Sequence, residues 1–176
     1  MKGRVLNSAP QLDSLLGSAG ATIADLSDIY DSTERVNKVA RMLDQILEYF
    51  QFQEDSEDLR LLIVVEEAHL WTSKDLPKDA IRFLDSAARL LRKKGVGVML
   101  VSQKISDFFD SAMRSAMNTS ILFRTKYEGD LKAIARMLGN DTSTIIPKLP
   151  VGHSVFHLAD VGDPFALAWR PTYSQP

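Results

Sequence analysis

The run Leu61-Leu62-Ile63-Val64-Val65 is followed at once by Glu66, Glu67, Ala68 and His69, so an apolar stretch delivers adjacent carboxylates at its C-terminal end. A continuous apolar run with acids on both sides, β-branched toward its end, predicts a central strand covered on both faces. Ligand sites in open α/β sheets lie at such strand ends. One carboxylate there can help hold a magnesium ion, usually through water, while the other polarises the water that attacks a phosphate. Glu66 suits the first role and Glu67 the second. A strand that simply ends at solvent with acids is common, and what lifts this pair above that is the next strand. Val98-Met99-Leu100-Val101-Ser102 leads to Gln103, whose amide can donate to a γ-phosphate oxygen or a water while accepting elsewhere, and so can report whether a phosphate is present.

Those residues need elements to hold them. Ala21 to Leu26 reads as a short strand. Asp31 followed by Glu34 is a capping-box pattern, and Val36, Val39, Ala40, Leu43, Ile46, Leu47 and Phe50 form a helical stripe behind it. Ala80, Phe83, Leu84, Ala87, Ala88 and Leu91 give another helix its buried face, and Gly95 supplies a left-handed residue to end it. A buried strand follows over Val96 to Val101. Helical spacing then recurs near Phe108 to Met117, a strand is predicted at Ser120 to Arg124, and a helix from about Gly129 to Leu138 is stopped by Gly139. Alternation of this kind predicts an α/β fold with a mostly parallel sheet flanked by helices, because parallel strands need crossovers that helices fill. The end differs: His153 to Ala159 and Phe165 to Arg170 flank Asp160-Val161-Gly162-Asp163-Pro164 and read as an antiparallel hairpin, within about 153–171.

Composition narrows the function classes. With 176 residues, 45% hydrophobic and 25% charged, the chain suits one domain spanning 1–176. It contains no cysteine, which excludes a disulfide framework, a thiolate zinc site and cysteine nucleophilic catalysis. The longest apolar runs fall far short of the ~20 residues of a membrane-spanning helix, and the N-terminus lacks the layout of a signal peptide. A soluble, cytoplasmic protein is the expectation. A net charge of −2 predicts no general affinity for nucleic acid, but the charge is uneven. Asp44 to Asp58 carries six acids and no base, and Arg89 to Lys104 five bases and no acid. The acidic stretch reads as a solvated face, whereas the basic one can meet phosphate, line a pore or form a subunit interface.

The stretch from about Thr22 to Pro171 resembles the C-terminal half of HerA-type ATPases of the HerA/FtsK superfamily, and is similar to the ATPases of conjugative type IV secretion. The residues that carry the likeness are the Glu66-Glu67-Ala68-His69 box, Arg92-Lys93-Lys94 before a Gly-Val-Gly strand, Val101-Ser102-Gln103, Asn118-Thr119 leading to Phe123-Arg124, and Leu149-Pro150-Val151-Gly152 before the hairpin. The resemblance implies a RecA-like P-loop NTPase fold, ATP and magnesium as cofactors, a homo-hexameric ring that moves double-stranded DNA, and possible work beside a nuclease or a secretion channel. It also implies that Arg92 is an arginine finger reaching a neighbour's nucleotide. Asp85 can pair with Arg89 and leave Arg92 available, although a basic helix end that favours the helix dipole explains Arg92 nearly as well. Arg124 is a weaker second candidate, expected to pair locally with Asp130 or Glu128. His69 follows the family box and could couple the site to neighbouring loops, but a structural histidine explains it equally. No second histidine stands near it to make a zinc protease motif.

The sequence also departs from that family. No Gly-x-x-x-x-Gly-Lys-Ser/Thr occurs, and Gly17-Ser18-Ala19-Gly20 carries no lysine and reads as a connector. In the RecA-like order the phosphate-loop strand lies between the strand of Gln103 and that of Ser120 to Arg124, so the missing strand is internal. The chain is thus expected to be a piece of a longer motor, inactive alone, with a reduced relative as the other explanation. Glu66 stands where the family usually has aspartate, which shifts the geometry of a metal-bound water. A non-catalytic assembly module that binds no nucleotide is the rival reading.

Overall fold

The computed structural model describes residues 4–6, 20–68, 90–106 and 117–170. These belong to two compact units, Met1–Val101 and Ser102–Pro176. His69, the Asp85 and Arg89 pair, most of the Ala80 to Leu91 helix and most of the Phe108 to Met117 segment lie outside the described residues.

In the first unit, β1 (Arg4–Leu6), which no sequence signal announced, pairs in parallel with β2 (Thr22–Ala24). Helix α1 (Ser32–Gln51) begins as the capping pattern predicts: the Asp31 carboxylate accepts from the Glu34 amide at 2.7 Å. Such a cap satisfies a backbone donor that the helix itself leaves without an acceptor. The expected stripe is the inward face, with Val36, Leu43, Ile46 and Phe50 buried. Strand β3 (Leu61–Val65) pairs in parallel with β4 (Val96–Leu100), with Leu61 opposite Val96 and Val65 opposite Leu100.

The expectation that β3 is covered on both faces is corrected. Val65 is buried, but Leu62 and Val64 remain 50% and 51% exposed, and Met99 opposite Val64 is 42% exposed. Side chains alternate across a strand, so a single face enters the core and the Leu62, Val64 and Met99 face stays open. An apolar run does not distinguish these cases.

A 3-10 turn, Arg92–Lys94, leads into β4 and ends at Gly95, whose φ of 75° is the expected left-handed one. The Gly95 carbonyl accepts from the amides of Arg60 and Leu61, which fixes the start of β3 to the start of β4.

The second unit is a mixed layer. Strands β5 (Thr119–Phe123), β6 (His153–Leu158) and β7 (Phe165–Ala168) form an antiparallel sheet in the order β5-β6-β7. The terminal hairpin is β6 and β7, and it recruits β5 as well. Helix α2 (Glu128–Leu138) stops at Gly139, and α3 (Asn140–Ile145) runs into a 3-10 turn, Ile146–Lys148. Leu122, Ile134, Ile146, Leu149 and Val155 form the core, with Ile105, Leu131 and Leu138 packed against it. Among the described residues no helix is long and apolar enough to cross a membrane.

Candidate functional site

The carboxylate pair is set by a backbone excursion at the end of β3. The Val101 amide donates to the Val65 carbonyl at 2.9 Å, and the Ala68 amide donates to the Val101 carbonyl at 2.9 Å. Glu66 and Glu67 are thus looped out of the ladder between two pins on Val101, the residue that follows β4. Closing so short a loop requires an unusual dihedral: Glu67 has φ 48°, the single non-glycine positive φ among the described residues. A left-handed conformation costs a non-glycine residue roughly 1–2 kcal/mol, and such strain gathers at functional sites.

The two side chains differ in environment. Glu66 is exposed, as a carboxylate that meets a hydrated cation must be. Glu67 is half-buried and its Oε2 atom is shut off from solvent. An oxygen placed so is little hydrated, and that favours action on a single bound water over general solvation. Among the described residues no group of three or more His, Cys, Asp or Glu side chains could hold a metal ion by itself. A lone exposed carboxylate such as Glu66 is a donor that magnesium can use, since the ion usually takes one or two carboxylates with water and substrate phosphates.

Arg92 opens the 3-10 turn at the other end of the strand pair. β3 and β4 are parallel and in register, so their N-terminal ends carry Arg92 and their C-terminal ends carry Glu66 and Glu67. At ~3.3 Å per residue a five-residue strand separates these ends by roughly 13 Å. The acidic and basic stretches meet beside Arg92. Lys94 Nζ lies 2.7 Å from Asp55 Oδ1 and donates to the Gln53 carbonyl at 2.6 Å, and the Ser56 amide donates to the Lys93 carbonyl at 2.8 Å. The lysine holds the Asp55 carboxyl below the ordinary aspartate range, first by hydrogen bonding and then by its charge. Lys94 and Asp55 are therefore a structural clasp, which corrects the view of the acidic stretch as only a solvated face.

In the second unit Gln103 is exposed at a bend held from both sides. Ser102 Oγ accepts from the Lys104 amide at 3.2 Å and lies 3.0 Å from the Lys104 carbonyl, to which it donates. The amides of Ile105 and Ser106 donate to Asp130 Oδ1 at 3.0 and 2.9 Å. Asp130 is 2% exposed, and its burial has no mark in sequence: an acid in the first turn of a helix looks like a surface partner of the helix dipole or of a nearby arginine.

Arg124 is corrected as well. Its Nη1 donates to the Leu149 carbonyl at 3.4 Å, whereas Asp130 is engaged by Ile105, Ser106 and Thr125, and Glu128 pairs with Lys132 at 2.6 Å. Local acids were the obvious partners in sequence, but the backbone carbonyl of Leu149, just after the 3-10 turn, took the guanidinium.

The family model described as Helicase HerA-like C-terminal matches residues 38–150, well over half of the chain and all of Glu66, Glu67, Arg92, Gln103 and Arg124. The chain is 30% identical over 136 residues to a probable DNA double-strand break repair helicase HerA of Methanocaldococcus jannaschii, covering 76% of this chain and 26% of that protein. It spans between 18% and 26% of the curated relatives it matches. In structure it is similar to a genome packaging NTPase of Sulfolobus turreted icosahedral virus 2 in complex with ATP-gammaS, with TM-score 0.64, 14% identity, and 94% and 74% of the two chains covered. VirB4 of Thermoanaerobacter pseudethanolicus gives TM-score 0.65 and 19% identity over 87% of this chain and 41% of its own. At such identities the likeness is one of fold, and the expected RecA-like α/β class is borne out.

Proposed function

We propose, from the premise that this chain belongs to the HerA-like helicase C-terminal family, that it is the Walker B and sensor half of an ATP-hydrolysing motor that moves double-stranded DNA. The observation that carries the reading is the pinned Glu66–Glu67 excursion, where backbone strain presents one exposed and one half-buried carboxylate at the C-terminal end of a parallel strand.

In this reading Glu66 would help hold a magnesium ion, which would supply charge neutralisation on ATP phosphates. Glu67, its Oε2 withdrawn from bulk water, orients and deprotonates the attacking water. Gln103 hydrogen-bonds the γ-phosphate and senses its presence. Arg92, at the far end of the strand pair, acts on the nucleotide of an adjacent subunit in a homo-hexameric ring, which a roughly 13 Å offset favours over action in its own subunit. His69 and Arg124 are accessory, and a nuclease or a secretion channel is the class of partner. The cytoplasm is the proposed compartment. The 176 residues contain no phosphate-loop motif, and this reading requires the loop to be supplied from outside them.

Turnover by the assembled motor tests this. Glu67→Gln should lower kcat by about a hundredfold or more while ATP binding persists, as removal of a general base does. Unchanged turnover would sink the reading. The rival, an assembly module without nucleotide chemistry, is favoured by the absence of the phosphate-loop motif. Calorimetric titration of the 176-residue chain with ATP and magnesium separates a further case: binding that is lost in a Glu66→Ala, Glu67→Ala variant would mean that a phosphate cradle lies within these residues.

A further inference from the structure

Asp130 is a carboxylate almost wholly withdrawn from water, which is unfavourable unless hydrogen bonds replace the lost hydration. Its bonds go to an unexpected place. It occupies the first turn of α2, whose N-cap residue Tyr127 makes no side-chain capping bond, yet the bonds to Asp130 come from the Ile105 and Ser106 amides, 25 and 24 residues earlier. The other oxygen, Oδ2, accepts from Thr125 Oγ1 at 3.3 Å, and that hydroxyl oxygen accepts from the Tyr127 amide at 3.2 Å. Ile105 follows Gln103 by two positions, and Thr125 follows Arg124 directly. A single buried group thus joins the segment of Gln103 to the connection of Arg124 within one compact unit.

We propose that Asp130 is a positioning residue that fixes the Gln103 segment and couples it through Thr125 to the Arg124 connection. The proposal rests on the reading of Gln103 as a phosphate sensor. Ser102 closes a local turn over Gln103, the Ile105 and Ser106 amides both end on Asp130, and the Ile105 side chain packs against the core of this unit. When Gln103 is drawn toward a γ-phosphate, the Ile105 and Ser106 amides move with it, and Asp130 passes the displacement to Thr125. Without Asp130, Gln103 keeps its chemistry but loses the buried anchor two and three residues after it.

The clamp itself is read on the 176-residue chain by amide hydrogen exchange. Ile105 and Ser106 should be protected, should exchange at least about tenfold faster in Asp130→Ala, and should stay protected in Asp130→Asn, whose Oδ1 still accepts both amides. Coupling is read on turnover by the assembled motor. Asp130→Ala should lower kcat about tenfold with KM for ATP within about twofold, Asp130→Asn should restore most of it, and Asp130→Ala should add nothing in a Gln103→Ala background. If Asp130→Ala does not fold, Thr125→Val carries the test, with a smaller loss of kcat that Thr125→Ser restores. Additive losses of Asp130→Ala and Gln103→Ala, or unprotected Ile105 and Ser106 amides, overturn the proposal. Unchanged turnover in Gln103→Ala overturns the sensor reading instead, and the exchange data then still decide whether the clamp exists.

Discussion

The Ala68 amide donates to the Val101 carbonyl at 2.9 Å, and this bond closes the excursion that carries Glu66 and Glu67. Val101 also donates its own amide to Val65, so a single residue of the neighbouring segment holds both ends of the turn. The position of the carboxylates is therefore a property of the β3–β4 ladder. Glu67 at φ 48° is the strained link in that closure.

Replacing Glu67 by glycine separates stability from activity. Glycine adopts the left-handed conformation without the Cβ penalty, although it gives the unfolded chain more freedom. Glu67→Gly should leave stability to urea unchanged or raise it by up to ~1 kcal/mol, while abolishing turnover by the motor. Glu67→Ala should be less stable than Glu67→Gly. A loss above ~1 kcal/mol in Glu67→Gly would show that the carboxylate is a structural keystone and not a strained functional group.

Gly95 is the corresponding fixed point at the opposite strand end. A Cβ there would lie 2.2 Å from the Asp58 carbonyl oxygen, and φ 75° is unfavourable for any side chain. Gly95→Ala should cost about 2 kcal/mol or more, read as a lowered midpoint of denaturant unfolding. A midpoint unchanged within error would mean that the Asp58 segment yields freely.

What the sequence disclosed follows from which interactions leave a mark in residue type. The Asp31 cap, the end of β3 at Glu66, the stop at Gly95 and the β6–β7 hairpin each depend on a local residue that few others can replace. Pairing across the fold leaves no such mark. That β5 lies antiparallel to β6, or that Arg124 is taken by the Leu149 carbonyl instead of Asp130, depends on backbone groups that every residue carries. The strained φ of Glu67 was equally hidden, since glutamate does not advertise a left-handed position. Asp130 was concealed by appearing ordinary for a first helical turn.

The Asp55–Lys94 clasp predicts a direction with pH. Lys94 lowers the Asp55 carboxyl below its ordinary value, so the folded state binds that proton less readily than the unfolded chain does. The clasp's contribution is present above the unfolded value of about 3.9 and is lost as pH falls through the lower folded value. The stability difference between the protein and Lys94→Met should therefore be present at neutral pH and shrink in acid. Because Asp55 is exposed, added salt should reduce it too. A difference that is constant from neutral to strongly acidic pH would assign Lys94 to its bond with the Gln53 carbonyl alone.

Arg92 and Glu67 stand at opposite ends of a parallel strand pair, and that offset makes a prediction about mixing. If Arg92 serves the adjacent subunit, an active interface needs Glu67 from one subunit and Arg92 from its neighbour. Arg92→Ala and Glu67→Gln motors should each be inactive, yet co-assembled in equal amounts they form interfaces where an Arg92→Ala subunit keeps its glutamate and meets an intact arginine. Random mixing in a closed ring places roughly a quarter of interfaces in that state, so turnover should recover to about that fraction. Lys93→Ala should behave nearly as the unaltered protein, since loss of nearby positive charge alone is a small effect at an exposed position. An active Arg92→Ala motor would remove Arg92 from the chemistry. Two inactive variants that fail to complement, although they co-assemble, would instead place Arg92 and Glu67 at the same nucleotide within one subunit, against the separation of the strand ends.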